Sequence, residues 1–144
     1  VNKAVEINPH HSRSLQAKGM LYLNECDYDN SIDFLNRAHE INRKGVPFYE
    51  TMLLFCHLGK NDWVNANQSV DRSMRENDHS RFHAFKAIVL SHEGKIEESK
   101  EWLKKYQENR PEIKTIDDYE QVVPQINQEV KDILLNGMIK AGLK

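Results

Sequence analysis

The sequence predicts an all-α solenoid: a right-handed superhelix of antiparallel helix pairs, closed by C-terminal capping helices. Three observations support this prediction. Similar segments recur about every 34 residues, apolar residues recur at helical spacing within each segment, and apolar content is modest. Of the 144 residues, 39% are apolar and 29% are charged, and the mean hydropathy is −0.73. A stack of helix pairs buries a narrow continuous seam, so this apolar content is sufficient.

The repetition appears when segments of the chain are aligned. The segment VNKAVEINP (1–9) matches LNRAHEINR (35–43), which places Ala4 on Ala38 at a step of 34. The segment ECDYDNSIDFL (25–35) matches EGKIEESKEWL (93–103) at twice that step, with KNDWVNANQSV (60–70) between them. Each unit contains two stretches of helical periodicity separated by a turn. The predicted organisation is the end of a truncated unit over 1–11, units over 12–45, 46–79 and 80–113, and capping helices over 114–144.

The last segment departs from the repeat. Thr115 and Asp118 resemble a capping box, which predicts a short helix over 116–123 ended by Pro124. A longer helix with apolar spacing follows, and Gly142 is placed to end it in the left-handed conformation. Because an open last repeat would leave its apolar face in water, a solenoid needs such an end.

Charge and composition exclude several function classes. The formal net charge is −2, with no positive excess to bind a nucleic-acid backbone. No apolar run approaches the roughly 18 residues of a membrane span. Two cysteines and no signal peptide favour a reducing, cytoplasmic compartment. Because the chain starts with Val1 in mid-pattern, we expect an excised C-terminal fragment of a larger protein.

Motifs of catalysis and metal binding do not stand out. The chain has no nucleophile elbow, no Gly-rich phosphate loop, and no HExxH or CxxC pattern. His79, His83 and His92 are the candidates for an enzyme or metal site, but only His79 and His83 have helical i,i+4 spacing. Cys26 and Cys56 are interpreted as structural thiols. We therefore expect no enzyme activity, no metal and no cofactor, and keep the histidine site as an alternative.

The repeat resembles the tetratricopeptide repeat family, whose 34-residue unit has apolar, Gly, Tyr, small, aromatic, Ala and Pro positions. The residues of unit 12–45 at these positions are Leu15, Gly19, Tyr22, Ser31, Leu35, Ala38 and Arg43. Those of unit 80–113 are His83, Ala87, Leu90, Ser99, Leu103, Tyr106 and Pro111. The middle unit departs most, with Leu54 and His57 at the Gly and Tyr positions. The resemblance implies a non-enzymatic module that binds a protein or peptide partner.

The C-terminal tail carries a second resemblance. It is similar to segments that close the tetratricopeptide arrays of some bacterial adenylyl cyclases and transcriptional regulators. The matching residues are Arg110, Pro111, Leu134, Gly137, Lys140, Ala141, Gly142 and Leu143. This resemblance implies that the chain is the C-terminal region of a larger bacterial regulatory protein.

The concave wall, formed by the first helix of each unit, is the predicted binding surface. Alignment of the units gives its inner positions as Arg13, Gln16, Met20, Leu23, Phe48, Thr51, Phe55, Leu58, Arg81, Ala84, Ile88 and Ser91. An apolar strip flanked by arginines suits a peptide with acidic residues. Two alternatives remain: these residues pack against an earlier repeat or the C-terminal helix, or the chain self-associates as a homodimer. Gln16 and Met20 replace the Lys and Asn pair of chaperone-binding relatives, which disfavours a carboxylate clamp of that type.

Overall fold

A computed structural model describes residues 9–44 and 46–144, and these residues form an α-solenoid with no strand in the described ranges. The helices are α1 (Pro9–Asn24), α2 (Tyr28–Ile41), α3 (Val46–Gly59), α4 (Trp63–Glu76), α5 (Ser80–His92), α6 (Ile96–Asn109), α7 (Ile116–Glu120) and α8 (Gln128–Ala141). The first six helices form three pairs, as the fold prediction requires. The end of α6 at Asn109, just before Pro111, follows from the cost of proline inside a helix.

Equivalent turns join the two helices of each pair. Each turn places one residue at positive φ: Cys26 at 61°, Asn61 at 57° and Gly94 at 84°. In the first two turns the following residue, Asp27 or Asp62, caps the second helix by accepting a backbone N–H three residues on. The repeated geometry shows that the sequence alignment of 25–35 with 60–70 and 93–103 reflects repeated structure.

Small side chains let the two helices of a pair approach closely. The hydroxyl of Ser31 on α2 donates to the carbonyl oxygen of Gly19 on α1 at 2.6 Å. The equivalent Ser99 on α6 donates to the carbonyl oxygen of Ala87 on α5, also at 2.6 Å. Both serines are fully buried, so these bonds satisfy their hydroxyls inside the core. The expected role of the small residues in this repeat is thus confirmed for the first and third pairs.

The tail matches the sequence expectation except for the length of α7. Thr115 and Asp118 form a complete capping box. The short helix ends at Glu120 rather than at residue 123, because Pro124 has no N–H to donate to the Glu120 carbonyl oxygen and disfavours helical backbone at residue 123. At the end of α8, Gly142 adopts φ 113° and the Leu143 N–H donates to the Met138 carbonyl oxygen at 3.0 Å. The left-handed cap is confirmed.

Helix α8 does not simply extend the stack beyond α6. It packs mainly on α5, the first helix of the third pair, with further contacts to α3 and α6. Its inward residues Val130, Leu134, Met138 and Ala141 are completely buried. The approach is closest at Gly137, where an added Cβ would lie 2.5 Å from Ile88 Cγ2. The C-terminal helix therefore completes the hydrophobic core.

This close approach predicts an unusual sign for a glycine substitution. Gly137→Ala in a free helix would stabilise by about 1 kcal/mol, since alanine has the higher helix propensity. Here we expect destabilisation by about 1–3 kcal/mol, because the new methyl group overlaps Ile88. Urea unfolding followed by circular dichroism measures the change. The exposed neighbour Asn136→Ala is the matched control and should be neutral or slightly stabilising. A stabilised Gly137→Ala variant would contradict this packing.

Candidate functional site

Helix α8 packs over the part of the concave wall toward the C-terminal ends of the first helices. Leu23, Leu58, Ile88 and Ser91, toward the C-terminal ends of α1, α3 and α5, are buried. The expectation that these four positions face an open groove is wrong. For Ile88 and Ser91 the physical reason is that the apolar face of α8 packs against them. The alternative of packing against the C-terminal helix is confirmed for Ile88 and Ser91.

Hydrogen bonds fix the position of the C-terminal segment on the helix pairs. The Ser91 hydroxyl donates to the Gly137 carbonyl oxygen at 2.8 Å. The Asn127 side-chain amide, just before α8, donates to the Leu23 carbonyl oxygen at 2.6 Å. The Tyr28 hydroxyl donates to Glu129 Oε1 at 2.8 Å. These bonds tie the C-terminal segment to the first and third pairs, so the tail links repeats that lie far apart in sequence.

His92, at the end of α5, is part of the same contact. Its ring stacks on the Trp63 indole with the ring centroids 4.5 Å apart. Nε2 lies 2.9 Å from the Ile133 carbonyl oxygen, and Nδ1 lies 3.3 Å from the Lys140 ammonium. A neutral ring that is protonated on Nε2 donates to the carbonyl and accepts from Lys140. Burial, with the charge of Lys140 as a lesser cause, lowers the pKa of His92.

Another part of the wall, between α3 and α5, remains open as a cleft of about 270 Å³. Its lining residues are Phe48, Thr51, Met52, Phe55, Arg81, Phe85 and Pro124. Phe48 stands at its rim with 36% of its surface exposed, while Phe55 and Phe85 form the floor with their rings edge to face, 5.7 Å between centroids. The segment between α7 and α8 supplies Pro124. We call this feature the α3/α5 cleft.

A smaller hollow of about 100 Å³ continues the α3/α5 cleft toward α7. The two share Arg81, Phe85 and Pro124. The additional lining residues are Ala84, Tyr106, Arg110, Tyr119 and Val122. Together they form one apolar trough that crosses the N-terminal half of α5.

The charge at the α3/α5 cleft is positive. The Arg81 guanidinium is exposed, lies 5.0 Å from the Phe82 ring centroid, and forms no ion pair with any other described residue. Arg110 instead pairs with Glu112 at 2.7 Å. Glu50 on α3 is engaged by Arg72. Among the described residues that line this cleft, Arg81 is thus the cation that is available for a ligand carboxylate.

The predicted site residues are therefore divided by the structure. Phe48, Thr51, Phe55 and Arg81 come together in the α3/α5 cleft, and Ala84 lies in the adjoining hollow. The remaining predicted residues, Arg13, Gln16, Met20 and Ile88, do not line the cleft.

Exposure differs among the predicted residues as well. Arg13 and Met20 are exposed on α1, and Gln16 accepts from the Tyr49 hydroxyl at 3.4 Å. Phe55, Ala84 and Ile88 are buried, so the expectation that they are exposed is wrong. Ile88 is fully covered by α8, whereas Phe55 contributes its ring to the cleft floor.

Sequence reasoning missed several lining residues. Met52 lies one helical turn beyond Phe48, and Phe85 one turn beyond Arg81, so i,i+4 spacing could have identified both. Pro124, Tyr119 and Val122 come from the tail, whose position over α5 has no signal in the repeat pattern.

The histidines and cysteines have local roles. His79 caps α5 by accepting the Arg81 N–H at 3.2 Å, while His83 lies 2.9 Å from Asp78 Oδ1 and packs on the Trp102 ring. Among the described residues, no group of three His, Cys, Asp or Glu side chains converges as a metal site. Burial raises the pKa of the Cys56 thiol to about 11, which makes it a poor nucleophile.

Comparison with known proteins identifies the repeat. Residues 12–44 match the model of the tetratricopeptide repeat family, and this segment is the first helix pair, α1 and α2. Together with the helical architecture, the match supports a solenoid of the tetratricopeptide type, a class that generally mediates protein–protein interaction. No curated protein matches the chain. Within the described residues, no helix has the length and apolarity needed to cross a membrane.

The environment of His92 predicts acid sensitivity. Its pKa is lowered in the folded protein, so the unfolded chain binds the proton more readily between that pKa and about 6.5. The free energy of unfolding should therefore fall as the pH drops from about 7 to 5, by at most about 1.4 kcal/mol per pH unit per histidine. His57, whose pKa is lowered by burial, adds to this slope.

The His92→Gln variant tests that prediction. Its amide can still donate to the Ile133 carbonyl oxygen but cannot take up a proton. Urea unfolding over this pH range should show a shallower loss of stability than in the original chain. Identical slopes for both proteins would show that His92 does not contribute.

Proposed function

We propose that this chain is a non-enzymatic protein-interaction module that binds a peptide or partner segment in the α3/α5 cleft. The observation that supports it is an apolar concave surface left open beside a buried core. At its edge stands the Arg81 guanidinium, which forms no ion pair with another described residue. Interaction sites of this kind combine apolar anchors with a few polar groups that set orientation.

The cleft favours a ligand of a particular type. Its floor and rim are aromatic, with Phe48, Phe55 and Phe85 contributing rings. A bulky apolar side chain of the ligand would remove part of this surface from water, at about 25 cal/mol per Å² buried. A carboxylate next to that side chain would then pair with Arg81. Arg13, Gln16 and Met20 are the residues that a longer ligand would reach along the same wall.

We also propose a setting for the module. The tail from Arg110 to Leu143 resembles segments that end the arrays of bacterial adenylyl cyclases and transcriptional regulators, which supports a place at the C-terminus of a larger cytoplasmic regulatory protein. The genomic sequence upstream of the Val1 codon tests this. A nucleotide-cyclase or DNA-binding domain in the same reading frame is the expected result, and a secretion signal would contradict it.

The binding proposal predicts a selective loss on mutation. A display library of random peptides should yield binders that carry an aromatic or large aliphatic residue next to Asp or Glu. Phe48→Ala should weaken binding of a selected peptide by about tenfold or more, and Arg81→Ala by a similar factor, because each removes one anchor of the complex. Isothermal titration calorimetry measures both changes.

The control for these variants is Val64→Ala on the outer helix α4. Val64 is 63% exposed and does not line the cleft, so its substitution should leave affinity unchanged. Each variant should keep the thermal unfolding midpoint within a few degrees, since Phe48 and Arg81 are both exposed. Selected peptides whose affinity responds to Val64 and not to Phe48 or Arg81 would overturn the assignment.

A further inference from the structure

A second surface lies on α1, away from the α3/α5 cleft. Lys18, Leu21 and Tyr22 on α1 and Glu25, the residue directly after it, follow one another at steps of three, one and three. The Glu25 N–H still donates to the Leu21 carbonyl oxygen at 3.1 Å, so all four share one helix face. With Phe34 of α2 they line a shallow depression of about 290 Å³. Leu21 is 61% exposed at its centre. We call this surface the α1 face.

Internal repetition shows what such a face does elsewhere in the fold. The residues equivalent to Leu21 in the next two pairs are Cys56 and Val89, and both are completely buried. Cys56 Sγ lies 3.3 Å from Ser31 Oγ on α2. In both later pairs the same face is covered by the second helix of the preceding pair. The α1 face is therefore built to receive a helix.

The charges of the α1 face point to the same conclusion. At the position of Lys18, the third pair has Lys86, whose ammonium binds Asp71 Oδ1 of the covering helix at 2.8 Å. Lys18 itself lies over the Phe34 ring, 5.6 Å from its centroid. Neither Lys18 nor Glu25 forms an ion pair with another described residue.

We propose that the α1 face binds the α1 face of a second copy of this chain, as an antiparallel pair of α1 helices about a twofold axis. The axis passes between Leu21 and Tyr22, so each Leu21 meets the other copy's Tyr22. Lys18 of one copy then pairs with Glu25 of the other, and the same pair forms again on the far side of the axis.

The order of residues along α1 is what favours a second copy. In an isologous dimer every contact occurs twice, and the surface must be complementary to itself. The basic residue, the two apolar residues and the acidic residue are spaced symmetrically about their midpoint, and they meet that condition only in the antiparallel direction. The parallel direction would bring Lys18 against the other Lys18 and Glu25 against the other Glu25.

The dimer that follows is weak and reversible. The contact is one helix face with a shallow depression, at the small end of specific interfaces. We expect a dissociation constant on the order of 10–100 μM. This association rests on α1 and α2 and is separate from ligand binding between α3 and α5, so either can fail without the other.

Sedimentation velocity over a concentration series tests the dimer directly. The original chain should shift from monomer to dimer across that range, and Leu21→Asp should weaken association by at least about 30-fold. Val64→Asp is the matched control: it places the same charge at an equally exposed apolar residue on α4 and should leave association unchanged. Circular dichroism verifies that both variants fold.

Charge reversal tests the register. Lys18→Glu and Glu25→Lys should each weaken the homodimer, by roughly three- to tenfold, because each places like charges together twice. Mixing the two variants should restore association, since the heterodimer regains both opposite-charge pairs. Restored association in the mixture and loss in the separate variants support the proposal.

Three results would overturn it. One is a strict monomer across the whole range, as expected if the α1 face is covered by a preceding helix of the same polypeptide. Another is a dimer that tolerates Leu21→Asp. The third is a mixture of the charge-reversal variants that associates no better than either alone, which would exclude the antiparallel register.

Discussion

The packing of α8 against the concave wall is the contact on which the arrangement of this molecule depends. Gly137 brings the α8 backbone onto Ile88, and the Ser91 and His92 side chains bind the carbonyl oxygens that α8 presents at Gly137 and Ile133. Most of the contact is apolar, and the hydrogen bonds fix the position of α8 along the wall. An apolar stripe alone would allow α8 to slide or rotate, whereas hydrogen bonds to buried carbonyls specify one position.

This contact divides the inner wall of the solenoid into two parts. Where α8 lies, toward the C-terminal ends of the first helices, the apolar residues become core. Toward the N-terminal ends, the segment between α7 and α8 passes over α5 and contributes Pro124 to the edge of the α3/α5 cleft. The tail therefore both covers part of the concave wall and shapes the part that remains open. Arg81 lies beside Pro124 at this edge and forms no ion pair with another described residue.

The two surfaces argued for this chain have a common physical origin. In a repeat array, each position has equivalents in the other helix pairs, and the residues that pack on those equivalents show what can pack on an exposed face. At the α3/α5 cleft the comparison shows what α8 leaves uncovered. At the α1 face it shows the covering helix that Leu21 lacks among the described residues and that Cys56 and Val89 possess.

The sequence by itself determined the helix pairs, their turns and their caps, because these depend on contacts within about 34 residues. Spacing identified the paired small residues such as Ser31 and Ser99, and side-chain chemistry identified the Thr115 capping box and the Gly142 cap. It also placed Phe48, Phe55 and Arg81 on one wall. Only the tertiary structure decided which part of that wall stays open. The position of α8 results from contacts such as Asn127 with Leu23 and Tyr28 with Glu129, about a hundred residues apart, and no local pattern encodes such pairings.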